Sequence, residues 1–477
     1  MQRIAIVGGG LGGLTCAKYL ADAGMNVRIY EGLPFLGGRA STFRDDDGEW
    51  IEQGLHLFLG SYSEFRTLLT EIGRPAEDIL YWIDQLHLHD PQGPAATYGV
   101  NPIFAPLRTI LGALSQNDYL GPLDKLSLAP LTAPALTSIE NLRSKYDSLT
   151  VTEWWRQTGG TDDVLERVLR PFCRAVQFSE PEQFSAFDFL GWAHQSIYGL
   201  LQLRLAGYKG AREELIFRPL AEYLQQRGAT VQTGIQLRQI EYEESQKSLS
   251  GLLMADGQRV VADVYVIAIP AWAFAPLIPM PLRRLPYFEG IAKLPVAPAI
   301  SVQLWLDRVA ADNPDFYLVC REPTPVYQEQ SQLTYRTASG GRISVIVSPA
   351  DHLLDWEDEA LVRMVHQSLG KVNAAIAAAT VTKSVVLKHP QHLVRPLPFA
   401  MSSRPKQATP VPNLFLAGDW TSRSSSAAKK APSGVERLAR RQSSSSFMKR
   451  SFDACLMQQT LKLWSIDGVN AAHGVCS

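Results

Sequence analysis

The chain has 477 residues, 46% of them hydrophobic and 19% charged, with a formal net charge of −1. Such a length supports two or three domains around a sizeable core, and the near-zero charge gives no electrostatic basis for binding nucleic acid. No run of about eighteen apolar residues occurs, so no segment is long enough to span a bilayer. The five cysteines are scattered and never spaced C-x-x-C, which argues against a metal site or a disulfide framework. The first strand starts directly after Met1, leaving no room for a leader. A reducing compartment is expected.

Arg3–Val7 is an apolar strand that runs into Gly8-Gly9-Gly10-Leu11-Gly12-Gly13. Gly8, Gly10 and Gly13 fill a G-x-G-x-x-G spacing, a periodic helix follows over Leu14–Ala23, and a second strand ends at Glu31. Strand, glycine turn, helix, strand and acidic residue in that order specify a site for an adenine dinucleotide. Gly8 permits the tight turn, Gly10 lets a pyrophosphate approach the backbone, and Gly13 lets helix and strand pack closely. The unpaired N–H groups of the helix start face the phosphates. The Glu31 carboxylate can accept hydrogen bonds from a ribose.

A second glycine cluster follows at Gly37-Gly38-Arg39, where a simple nicotinamide-binding unit has no need of one. Next come Glu52-Gln53-Gly54-Leu55-His56 and a low-charge apolar stretch, Asn101–Leu120, near helical spacing. Trp154, Trp155, Phe172, Phe187, Phe189 and Trp192 either line an apolar tunnel or form ordinary core. Short strands are expected over Gly228–Gly234, at Leu237–Ile240 and within Val260–Ile269. Ala299–Leu306 and Ile343–Val347 read as strands of an antiparallel sheet, followed by a helix over Glu359–Leu369. Arg404-Pro405 precedes a last apolar strand that ends in Gly418-Asp419, where a buried carboxylate needs donors.

The N-terminal unit, the Gly-Gly-Arg cluster and the late Gly-Asp strand together resemble the FAD oxidoreductases of the amine-oxidase and phytoene-desaturase superfamily. The resemblance covers residues 1 to about 421. Cys16–Gly24, Glu52–Tyr62, Leu149–Trp155 and Arg404-Pro405 are similar to segments of the plant and cyanobacterial carotene desaturases. It implies an α/β fold: a discontinuous Rossmann-like FAD-binding domain of the glutathione-reductase type (1–75, 210–275 and 385–421) with an inserted α+β substrate domain (76–209 and 276–384). FAD is then the cofactor, held by Gly8, Gly10, Leu11, Gly13, Glu31, Gly37, Gly38, Arg39, Gly54, Leu237, Gly418 and Asp419. His56 and Arg404 are the candidate catalytic residues. His56 lies near the flavin or is a satisfied buried histidine; Arg404 meets the cofactor or a quinone, or is an exposed loop residue.

The implied reaction is desaturation of phytoene or ζ-carotene by hydride transfer to flavin, with electrons passed to a quinone-type acceptor. The lipophilic polyene implies a peripheral position on the cytoplasmic side of a prokaryotic membrane, with Asn101–Leu120 as the contact segment or as a helix packed on its own domain. A hydroxysqualene-dehydroxylase-like or amine-oxidase-like flavoenzyme, or an impaired remnant of the family, are the alternatives. No metal is expected.

The resemblance stops after Thr421. A basic, serine-rich tail (422–477) stands where the carotene desaturases have a Glu-Gly-Ala-Val helix beside the flavin. Codons GAA-GGC-GCC-GTC for that helix, read one base later, encode Lys-Ala-Pro-Ser, which is the run Lys430–Ser433. A frameshift or a lineage-specific extension explains the tail, and either reading makes it disordered or weakly ordered.

Overall fold

The computed structural model describes residues 2–83, 85–99, 119–191, 205–310, 315–337 and 340–422. The stretch 101–118, Trp192 and the tail from residue 423 lie outside the described residues, and with them most of the stretch expected to contact a membrane and the run on which the frameshift reading rests.

Strand β1 (Arg3–Val7) leads through the glycine turn into helix α1 (Leu11–Asp22) and strand β2 (Asn26–Tyr30). Helix α1 begins at Leu11 rather than Leu14, because the glycines themselves build its first turn. A short hairpin follows, β3 (Thr42–Arg44) and β4 (Trp50–Glu52). After a helical region come helix α2 (Arg218–Gln226), β5 (Thr230–Gln232) and β6 (Val264–Ile267). Three long strands are next: β7 (Val296–Leu306), β8 (Gly341–Val347) and, beyond helix α3 (Asp358–Gly370), β9 (Val381–Val394). The last described strand is β10 (Leu414–Leu416).

Strands β5, β2, β1, β6 and β10 stand side by side in that order, all parallel. Parallel sheets are buried on both faces, so their strands are continuously apolar. Ile4, Ile6, Val264, Val266 and Phe415 point into the core beneath α1 and α2. Their neighbours Ala5, Val7, Tyr265, Ile267, Leu414 and Leu416 point into the core on the opposite face. The first and last described strands therefore belong to one layer.

A seven-stranded sheet runs in the order β9, β7, β8, 326–329, 316–319, 85–89 and 95–99. Ile300, Val302 and Leu304 of β7 pack into the same core as Leu361, Val365 and Leu369 of α3. Alternate residues on the opposite face are polar yet buried: Ser301, Gln303, Gln328, Gln330, Arg342 and Ser344. Residues 385–394 belong to this sheet, paired with β7 as far as Val394 opposite Val296. The chain re-enters the parallel sheet at β10.

Trp154, Trp155, Phe172, Phe187 and Phe189 belong to a separate aromatic core. Their rings pack on one another, with Trp154 and Phe189 at 5.9 Å and Phe172 and Phe189 at 5.9 Å, in the manner of ordinary core.

Candidate active site at the carboxyl edge of the parallel sheet

The two glycine clusters touch. Gly8 has φ +111°, and a Cβ there would lie 2.7 Å from the Ala268 carbonyl oxygen at the end of β6. A Cβ on Gly13 would lie 1.9 Å from the Gly8 oxygen, so helix and strand pack as the spacing predicts. Gly37 donates its N–H to the Gly9 carbonyl at 2.9 Å, and a Cβ on Gly38 would meet the Cα of Gly10 at 3.3 Å. Gly10 differs from the others, since a Cβ there would meet only the Gly38 Cα, at 3.9 Å. It also caps α1 with no side-chain hydrogen bond. An uncapped helix start behind open space is suited to an anion.

Glu31, at the end of β2, accepts the N–H groups of Gly9 at 2.6 Å and Leu33 at 2.8 Å. Gly9 was not singled out in the sequence, yet a Cβ there would lie 2.9 Å from the Glu31 Cβ. Leu237 opens the strand Leu237–Glu243 and is buried in the same core as Val7 and Tyr30.

Asp419 is brought to this edge from 380 residues away: its Oδ1 accepts Arg39 Nη2 at 2.7 Å. Register explains why. The Ala417 N–H donates to the Ile267 carbonyl at 2.8 Å, so β10 ends level with β6, and Gly418 (φ +135°) turns the chain toward Arg39. Arg39 Nη1 donates to the His392 carbonyl at 2.9 Å, and Arg404 Nη1 donates to the Asp419 carbonyl at 2.5 Å. Burial pushes the Asp419 carboxyl up, but the Arg39 guanidinium outweighs it and holds the group below the usual carboxylate range. The Arg39 and Asp419 side chains remain 36% and 37% exposed despite pairing with each other, which leaves both able to touch a ligand.

His56 Nδ1 bonds the Gly54 carbonyl at 2.7 Å. Burial, reinforced by Arg212, pushes this imidazole down to about 4, so it is neutral near pH 7. Gly54 also accepts Arg212 Nη2 at 3.2 Å.

Arg212 leads to a set of residues that the motifs did not reveal. Its Nε donates to the Ala40 carbonyl at 2.7 Å, and its Nη1 pairs with Glu52 at 3.0 Å. Glu52 accepts further hydrogen bonds from Tyr335 at 2.8 Å, Gln330 at 3.1 Å and Ser344 at 3.2 Å, all from the seven-stranded-sheet region. Burial opposes its ionisation, and the Arg212 and Arg342 charges reverse that, leaving Glu52 below the ordinary range. Glu52 ties the hairpin β3–β4 to the polar face of the large sheet. His389 and His392 are likewise new: their rings lie 5.1 Å apart, and burial lowers both pKa values.

Glycine turn, Arg39 and the Gly418-Asp419 end thus converge on the edge where open α/β sheets bind ligands. The arrangement is that of a dinucleotide-binding α/β protein. The chain belongs to the flavin-containing amine oxidoreductase family, whose model matches residues 11–430. It is 29% identical to the 15-cis-phytoene desaturase of Synechococcus elongatus, covering 88% of this chain and 91% of that one. It is 30% identical to a protein of the same organism named as a probable zeta-carotene desaturase, covering 88% and 94%. An oxidoreductase from Methanosarcina mazei shares the fold with a TM-score of 0.68 at 17% identity, covering 88% and 95%.

FAD is the cofactor of this family, and the residues present fit it. The open face of Gly10, the uncapped α1 and the partly exposed Arg39–Asp419 pair supply what a diphosphate and a ribityl chain require. No group of three or more histidine, cysteine, aspartate or glutamate side chains able to hold a metal occurs among the described residues.

Proposed function

We propose that the protein desaturates a carotenoid precursor, phytoene or ζ-carotene, and returns its electrons to a quinone-type acceptor. The observation that carries this reading is likeness to carotene desaturases across 88% of the chain, joined to a glycine cradle closed by Asp419. FAD when bound supplies the two-electron acceptor for a C–C bond flanked by double bonds, chemistry that asks little of side chains.

The residues have supporting roles. Gly8, Gly10, Leu11 and Gly13 receive the diphosphate, with Gly37, Gly38 and Arg39 beside it. Glu31 meets the ribose, and Gly418 and Asp419 meet the ribityl region. Leu237 packs behind the adenine end, and Gly54 holds His56 in place. A neutral His56 adds no positive charge beside a substrate that becomes electron-poor, and Arg404 fixes the Asp419 main chain. The surrounding apolar cores exclude water.

A polyene of this kind sits in a lipid phase, and we place the protein peripherally on the cytoplasmic side of a prokaryotic membrane. No described helix is long and apolar enough to cross one. The helix Pro122–Ser127 leaves Leu123 76% and Leu126 72% exposed, which suits contact with a bilayer surface. Expression in a host that accumulates phytoene tests the reading: extracts should gain carotenes of longer conjugation. Unchanged phytoene in cells containing the flavin-loaded protein contradicts it.

A further inference from the structure

Beside the Arg404 anchor the chain buries two carboxylates that the site above does not use. Asp188 lies in a helical segment, residues 186–191, and is 1% exposed. Its backbone is held, since its N–H donates to Ser185 Oγ at 3.3 Å and the Ser185 N–H donates to the Pro396 carbonyl at 2.7 Å. Its side chain is not: neither Oδ1 nor Oδ2 meets a hydrogen-bond partner among the described residues. Asp147 Oδ1 and Arg404 Nε, both buried, also lack partners there. The Phe399 N–H donates to the Asp147 carbonyl at 3.0 Å, which joins this group to the segment that carries Arg404.

Native chains pair nearly all buried polar atoms, and an ionised carboxylate without donors is costly to bury. The charged groups facing Asp188 are Arg404, Asp147 and, from the helix Ile139–Tyr146, Arg143. Burial pushes the Asp188 acid up to about 7; the Asp147 charge adds to this, while Arg404 and Arg143 oppose it. Burial also raises Asp147, against Arg143. Repulsion between the carboxyls, offset in part by Arg404 and Arg143, favours a state in which the pair keeps one proton.

We propose that Asp188 and Asp147 form a buried acid pair holding one exchangeable proton, and that losing this proton loosens the chain's hold on FAD through Arg404. The proposal rests on FAD as cofactor and is independent of which substrate is oxidised. With Asp188 neutral, the Arg404 charge adds undiminished to the positive potential at the Asp419 anchor, where it donates to the main-chain oxygen. An ionised Asp188 cancels part of that charge. The FAD diphosphate stays anionic throughout, so affinity falls as the proton leaves.

Titration of apoprotein with FAD, followed by flavin fluorescence from about pH 6 to about pH 8.5, tests this without turnover. Wild-type Kd should rise about 5-fold across the range, with its midpoint near the Asp188 value of about 7. Asp188→Asn should bind with the wild-type low-pH affinity at every pH. Asp147→Asn should move the midpoint to lower pH, because a like charge is gone. A flat wild-type curve, or a step that persists in Asp188→Asn, overturns the proposal. Should Asp188→Asn fail to fold by circular dichroism, Asp147→Asn decides: an unmoved midpoint overturns it equally. Failure of the carotene assay leaves all these outcomes unaltered.

Discussion

Gly10 and Gly13 sit three positions apart and make opposite predictions. Gly10 has φ −71°, and its added methyl would have ordinary contact with Gly38, so Gly10→Ala should fold with an unchanged melting temperature. Its FAD Kd should rise roughly 10-fold or more, because the methyl occupies the face a diphosphate approaches. Gly13→Ala places a methyl 1.9 Å from the Gly8 oxygen and must part α1 from β1. It should lose about 3 kcal/mol of stability by urea unfolding; equal stability for the two variants contradicts these assignments. Spacing made the three glycines of the motif legible because strand, turn and helix follow one another directly in the chain, although Gly8 is held by the distant Ala268 carbonyl. Gly9 was not legible, since its constraint comes from Glu31 across the sheet. Asp188 belongs to this scale as well. Its acid is ordinary at 3.8 when unfolded and about 7 when folded. A raised acid contributes stability that is complete below the unfolded value and gone above the folded one. Between about pH 5 and about pH 8 the wild type should therefore lose roughly 2–3 kcal/mol relative to Asp188→Asn. Parallel urea-unfolding curves at the two pH values would contradict that.

Among the elements, the hairpin β3–β4 depends most on a single buried pair. Arg212 and Glu52 are both almost fully enclosed, and Arg212 also holds the Ala40 and Gly54 carbonyls. Arg212→Leu leaves Glu52 ionised without its main partner and should cost about 3–5 kcal/mol. The double variant Arg212→Leu/Glu52→Leu should cost less than Arg212→Leu alone, because no charge is stranded. Chemical unfolding of the three proteins checks the order. Glu52 could be seen as part of a Glu-x-Gly-Leu-His segment, but its partners could not. The alternation of Ser301 and Gln303 with apolar residues in β7 marks a polar face without saying whether water or Glu52 meets it. The strands β7 and β8 and helix α3 were legible from their period; the hairpin 85–89/95–99, which extends the sheet through a parallel pairing with 316–319, was not. Local sequence carries no signal for such a partner. The helix Pro122–Ser127 yields a separate test. Leu123→Ser/Leu126→Ser should lower co-sedimentation with lipid vesicles several-fold while leaving FAD binding intact; unchanged sedimentation removes this helix from the membrane contact.

At the scale of the whole molecule, the proposed cofactor site is assembled from segments at opposite ends of the chain. Alignment of β10 with β6 delivers Asp419 to Arg39, and Arg39 adjoins the Gly38–Gly10 contact. Pairing of an early glycine turn with a late Gly-Asp end was legible because both motifs are local, whereas the route between them was not. The extent of β9 within the large sheet depends on pairing that only the folded chain reveals. The proposed oxidation of a carotene at this site has a direct test. That test is the flavin absorbance of purified, FAD-loaded protein mixed without oxygen with phytoene or ζ-carotene in lipid vesicles, followed by addition of a quinone. Bleaching of the bound flavin, a red-shifted polyene product and recovery of the flavin colour when quinone is added are the expected results. Bound FAD that stays oxidised in the presence of both carotenes contradicts the proposal.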